Sequence, residues 1–208
     1  MKYGNLVVVL CALAALGGCV VGQKHTLLIA DPKVELAGEG PLAVSALDHR
    51  PYVVSGEKQV SFLGLLRNSV GVPFDINTEG RRAVSDEVAT VLAGALEKAG
   101  FDVRAISTRP EQGDSEVIAA IDGQSRLALL TINELKSDTY ARTRLQYDLG
   151  LKVFAANGEL LAGSVAQGED SLGAGFDTSK HTKDAVPAAL SVQLERLIND
   201  PGVVEALR

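Results

Sequence analysis

The 208-residue sequence has no Trp, one Met, two Cys and three His, and only 4% of it is aromatic. With so few rings, the core must be packed by Val, Leu, Ile and Ala. The three histidines, His25, His49 and His181, are scattered, and none has a second His or Cys at ligand spacing, so no metal is expected. Basic residues are also short: 20 Lys+Arg face 26 Asp+Glu, a net charge of −6. That balance argues against nucleic-acid binding, which needs a clustered basic surface. Neither a Gly-x-Ser-x-Gly nor a Gly-x-x-x-x-Gly-Lys-[Ser/Thr] motif occurs. The glycines of "SLGAGFDTS" lack the strand and helix that would make them a phosphate loop. The expectation is a protein without cofactor and without enzymatic activity.

What is present begins at the amino end. Lys2 precedes an apolar run, Leu6 to Leu16, followed by Gly17, Gly18 and Cys19. That is the layout of a secretory signal, too short to cross a bilayer as a helix. The sequence "LGGC" resembles the lipobox of bacterial lipoproteins. The resemblance implies cleavage after Gly18 and lipidation, palmitate included, of Cys19. Cys11 would be lost with the signal, leaving one capped thiol and no intrachain disulfide. Several acyl chains hold a protein stably on a membrane where one alone does not. Val20 stands where lipoproteins kept at the inner membrane typically carry Asp. The resemblance therefore implies the periplasmic face of the outer membrane. The organisation expected is a signal peptide over 1–18, a lipidated tether over 19–40 and one periplasmic domain over 41–208.

The spacing of apolar residues outlines that domain. An edge strand is expected within "HTLLIA" (25–30). "PLAVSALD" reads as a strand closed by Asp48, His49, Arg50 and Pro51. Residues 52–78 are apolar but broken by Gly56, Gly64, Gly71 and Pro73, which predicts irregular hairpin-like structure. Val84, Val88, Val91, Leu92, Ala95 and Ala99 form one stripe of a helix over 80–99, ended by Gly100 and followed by the strand "FDVRAI". A short helix is expected over 114–122. Three strands follow, "RLALLTINELKSD", "RTRLQYDLGLKVF" and "LLAGSVAQG". The last two are joined at Asn157-Gly158, read as a type I′ turn. A final helix is predicted from an N-cap at Asp184, with Pro187 at its third position and Pro201 beyond its end. The fold class expected is α+β in two layers. Its mixed sheet has four to five strands, with a right-handed βαβ start and an antiparallel meander, and two long helices pack on one face.

Three stretches, "ALDHRPYVVSG", "RRAVSDEVATVLAGALEKAGFDV" and "ERLINDPGVVEAL", together resemble the YajG-like family of bacterial lipoproteins. Asp48, Arg50, Gly100, Phe101, Val103 and Asp200 carry the pattern. It implies a periplasmic α/β domain on an outer-membrane lipid anchor, without an assigned reaction. Among the residues themselves, Asp48 and Arg50 lie on one side of a strand and His49 on the other, so a structural Asp–Arg pair is expected rather than an acid/base couple. Phe62, Leu63, Leu65, Leu66 and Phe74 are the candidate interaction residues. They either complete the core or form an apolar lip for a partner. The functional expectation is a membrane-anchored, non-catalytic domain that binds an envelope protein in an auxiliary or assembly role. The alternative is a lipid- or small-ligand-binding periplasmic module.

Overall fold

The computed structural model describes residues 24–25, 31–121, 126–175 and 178–208. The signal segment, Cys19 and residues 26–30 lie outside them. The chain runs β1 (Lys24–His25), β2 (Pro41–Asp48), α1 (Pro51–Val54), β3 (Phe62–Arg67), β4 (Pro73–Thr78), α2 (Val84–Ala99), β5 (Asp102–Ile106) and α3 (Asp114–Ala119). It continues through β6 (Arg126–Thr139), β7 (Thr143–Phe154), β8 (Leu160–Ser171), α4 (Thr178–Ile198) and α5 (Pro201–Leu207). The fold is α+β. Among the described residues its sheet has eight strands, not four to five. The difference comes chiefly from residues 52–78, which supply the antiparallel pair β3–β4.

Strand β6 organises the sheet. Its first half, Arg126 to Ile132, pairs in parallel with β2, and its last residues, Ser137 to Thr139, pair in parallel with β3. Along its other edge β6 runs antiparallel to β7, and β7 to β8. One edge of β6 therefore carries two wings, β2–β5 and β3–β4–β1. The crossover β2–α2–β5 joins parallel neighbours, as the order strand, helix, strand predicts.

Alternation along the strands divides the core between two faces. Leu42, Val44 and Ala46 of β2 and Ala128, Leu130 and Ile132 of β6 turn inward, under Val88, Leu92 and Leu96 of α2 and Leu190, Leu194 and Leu197 of α4. Both long helices share that face. On the opposite face Ala43, Leu47, Leu127, Leu129 and Phe154 are covered by Val117 and Ile121, in and just after the short α3. The first half of β6 is thus apolar on both sides because both sides are covered.

Local chemistry sets the ends. Gly100 closes α2 at φ 112°, where a Cβ would lie 2.6 Å from the Gly38 carbonyl oxygen, so glycine is required twice over. Asp200 caps α5 through the amides of Gly202 and Val203. Two expectations are corrected. Helix α4 starts at Thr178, six residues before Asp184, and Pro187 lies inside it. Buried hydroxyls outweigh the lost backbone bond: Thr182 meets Thr139 at 3.0 Å and Thr143 at 3.4 Å, tying the first turns to the β6–β7 hairpin. The turn at Asn157-Gly158 is not type I′, since only Gly158 has positive φ (85°). Gly158 donates to Ala155, and Ala155 pairs with Glu159, the pattern of a type I turn with a glycine bulge. Residues 33–38 pack against the domain. The Lys33 and Glu35 amides donate to Glu195 and Asn199 of the helical layer, the Gly38 amide donates to Ala99, and Leu36 is buried.

Candidate functional site

Where β2 stops and β3 has not begun, β6 would have an empty edge. Arg50 fills it. Its guanidinium is fully buried and forks onto Asp48, Nε to Oδ1 at 2.7 Å and Nη2 to Oδ2 at 2.6 Å. Nη1 donates to the carbonyls of Phe62 on β3 (2.6 Å) and Leu135 on β6 (3.0 Å). One side chain thus supplies the bonds that a missing stretch of strand would have made. Burial alone would depress the Arg50 pKa, but the hydrogen bond and charge of Asp48 outweigh it and leave it above the ordinary value. Tyr52 seals the same fork. Its hydroxyl donates to Glu134 Oε1 at 2.5 Å, and its ring meets Phe62 edge-on at 5.5 Å. Burial pushes the Tyr52 phenol well above its usual range; the nearby Arg50 charge opposes this, and Glu134 adds to it.

The Asp48–Arg50 pair is present, and its contacts run to the carbonyls of β3 and β6. His49 turns away, its Nε2 lying 2.8 Å from the Gln112 carbonyl. His181 sits against the Leu172 carbonyl at 3.0 Å. Among the described residues no three His, Cys, Asp or Glu side chains converge as metal ligands.

The segment 62–74 resolves mostly toward the core. Phe62, Leu63 and Leu66 are buried, so an apolar lip made of these three side chains is corrected to core packing. Leu65 and Phe74 are half-buried. The reason is Gly64, whose φ of 151° shifts the strand register and lays the backbone against Ser137 of β6. The exposed apolar residues of this hairpin are instead Val70 and Val72 at its tip.

Two features escaped the sequence reading. The first is the rim of β8. Among the described residues this twelve-residue strand pairs with β7 alone, so its other side is an open edge. It exposes Leu160, Leu161 and Val165, the last by 65%, and "LLAGSVAQGEDS" contains no Lys, Arg or Pro. Natural edge strands commonly carry such residues to block further pairing. The lack of them was the available signal, but only the pairing shows which strand is the rim.

The second is a hollow of about 710 Å³ on the outer sheet face, beyond the cover of α3. Arg67, Lys136, Arg142 and Arg144 line it with Asp138, Tyr140 and Glu169. Arg67 forks onto Asp138 at 2.8 and 2.6 Å, a contact that raises the Arg67 pKa. These residues come from β3, β6, β7, β8 and the turn between β6 and β7, so no local motif announces them.

No family model matches the chain, and no curated protein matches it. Solved structures that it resembles include a Xanthomonas campestris protein of the DUF330 family, with TM-score 0.49 and 10% identity over 89% of this chain and 94% of that one. A neuraminyllactose-binding hemagglutinin homolog from Helicobacter pylori aligns with TM-score 0.39 and 10% identity, over 88% and 95% of the two chains. A lipoprotein from Neisseria meningitidis aligns with TM-score 0.31 and 12% identity, over 76% and 99%. No helix among the described residues is long and apolar enough to cross a membrane.

Proposed function

We propose that this chain is a lipid-anchored envelope protein, akin to the YajG-like lipoproteins, whose non-catalytic domain binds another envelope protein by adding that partner's strand to β8. The observation that carries the reading is the β8 edge: twelve residues, β7 as the one neighbour among the described residues, exposed Leu160, Leu161 and Val165, and no charged residue or Pro before Glu169. Strand addition supplies affinity through main-chain hydrogen bonds and specificity through alternate side chains. The anchor rests on Cys19 behind its apolar run, and the address, outer membrane facing the periplasm, on Val20. The Asp48–Arg50–Tyr52 fork supports a structural rather than a chemical use of the buried polar groups.

A photoreactive side chain at position 161, exposed on the same strand, tests the contact in intact envelopes. Crosslinks should reach a strand-forming segment of a different protein and vanish in a Val165→Lys variant, which places a charge on an already exposed position. Crosslinks that survive that substitution, or that join only copies of this chain, would refute strand addition to an envelope partner. The address is checked separately by palmitate labelling, which should be lost in Cys19→Ala.

A further inference from the structure

We propose that the hollow on the outer sheet face is a binding site for a phosphate-bearing ligand. Its volume of about 710 Å³ lies within the range of small-ligand sites, roughly 300–1,000 Å³. Four cations and two carboxylates line it, an excess of two positive charges on a chain whose net charge is −6.

The carboxylates do not neutralise that excess. Both oxygens of Asp138 are taken by the Arg67 fork. Glu169 lies 3.8 Å from Arg144 and also accepts from Gln146. Lys136 and Arg142 have no carboxylate partner among the described residues; Lys136 only reaches the Tyr52 ring, at 6.0 Å.

The strand register places these cations together. Arg144 stands opposite Asp138, and Lys136 opposite Gln146, so Lys136 and Arg144 are diagonal neighbours on one face. Diagonal pairs in a sheet are about 7–8 Å apart, close enough for like charges to repel without a shared anion. A phosphate dianion matches the excess in charge, and guanidinium groups meet its oxygens in pairs. The remaining volume accommodates the group that carries the phosphate. That group is either a lipid headgroup or a soluble phosphate compound.

The full chain in dodecyl maltoside micelles provides the test. Calorimetric titration with inorganic pyrophosphate measures the soluble arm. Native mass spectrometry with dioleoylphosphatidic acid against dioleoylphosphatidylcholine measures the headgroup arm. Binding in either arm supports the site and identifies its source, provided that Lys136→Glu/Arg142→Glu weakens it at least about tenfold while Arg208→Glu, a distant surface change, leaves it unaltered. Arg142 is exposed and Lys136 half-buried, and an unchanged thermal melt confirms that the double variant is folded. The milder Lys136→Gln/Arg142→Gln should weaken binding less. No binding in either arm, unchanged affinity in the double variant, or an equal loss in Arg208→Glu would each overturn the proposal.

Discussion

Replacing Arg50 by Met removes every polar contact of that side chain while keeping much of its volume. Four donated bonds disappear, two to Asp48 and one each to Phe62 and Leu135. Asp48, 1% exposed, is left without its cation. Breaking a buried ion pair from one side costs about 3–5 kcal/mol. For a chain of this size each kcal/mol lowers Tm by about 2–4 °C, so the melt should fall by roughly 6–20 °C. Arg50→Lys keeps the charge, but an ammonium cannot span two carboxylate oxygens and two carbonyls. It should cost about 1.5–3 kcal/mol. The double variant Asp48→Leu/Arg50→Met removes both charges and leaves two carbonyls unpaired, and should be more stable than Arg50→Met alone. Urea unfolding followed by far-UV circular dichroism measures all three, since the chain has no Trp to report. An Arg50→Met variant within about 1 kcal/mol of the parent, or a double variant less stable than the single, would refute the bridging role.

Two further outcomes follow from the same region. Gly64→Ala would place a Cβ 2.1 Å from the Ser137 carbonyl oxygen at a φ of 151°; it should destabilise by at least the ~1–3 kcal/mol of an overpacked core, and a neutral result in urea would show that β3 can move off β6. The Tyr52 pKa is raised on folding by burial, with Glu134 contributing, so the folded state holds the phenolic proton more tightly. That contribution is complete below the unfolded value of about 10 and is lost as pH rises beyond it. Urea midpoints compared between about pH 9 and 11 should fall more steeply for the parent than for Tyr52→Phe, and equal slopes would remove the argument.

Features carried by local pattern were legible in the sequence. The stripe from Val84 to Ala99 and its stop at Gly100 gave α2, and the apolar start of β6 marked a central strand. Asp48 and Arg50 were legible as a pair because strand alternation puts them on one side. The two carbonyls Arg50 also holds were not, because Leu135 lies far along the chain. Residues 52–78 looked irregular because Gly64 breaks the alternation, and that break is what seats β3 against Ser137. The start of α4 was misjudged because Pro187 argues locally for a late beginning, whereas Thr182 is held by hydroxyls of another hairpin. The hollow and the open rim depend on which strands become neighbours. Composition and periodicity do not encode that directly.

The double use of β6 also governs the order in which the molecule can be completed. Strand β2 pairs with β5 on one side, but its other neighbour comes only after some eighty further residues, when Arg126 to Ile132 arrive. Strand β3 waits for Ser137 to Thr139. Until then two apolar wings share no spine, and neither can close on its own. A chain emerging from its amino end therefore stays unfinished through its first 125 residues, and a single late strand joins both wings at once.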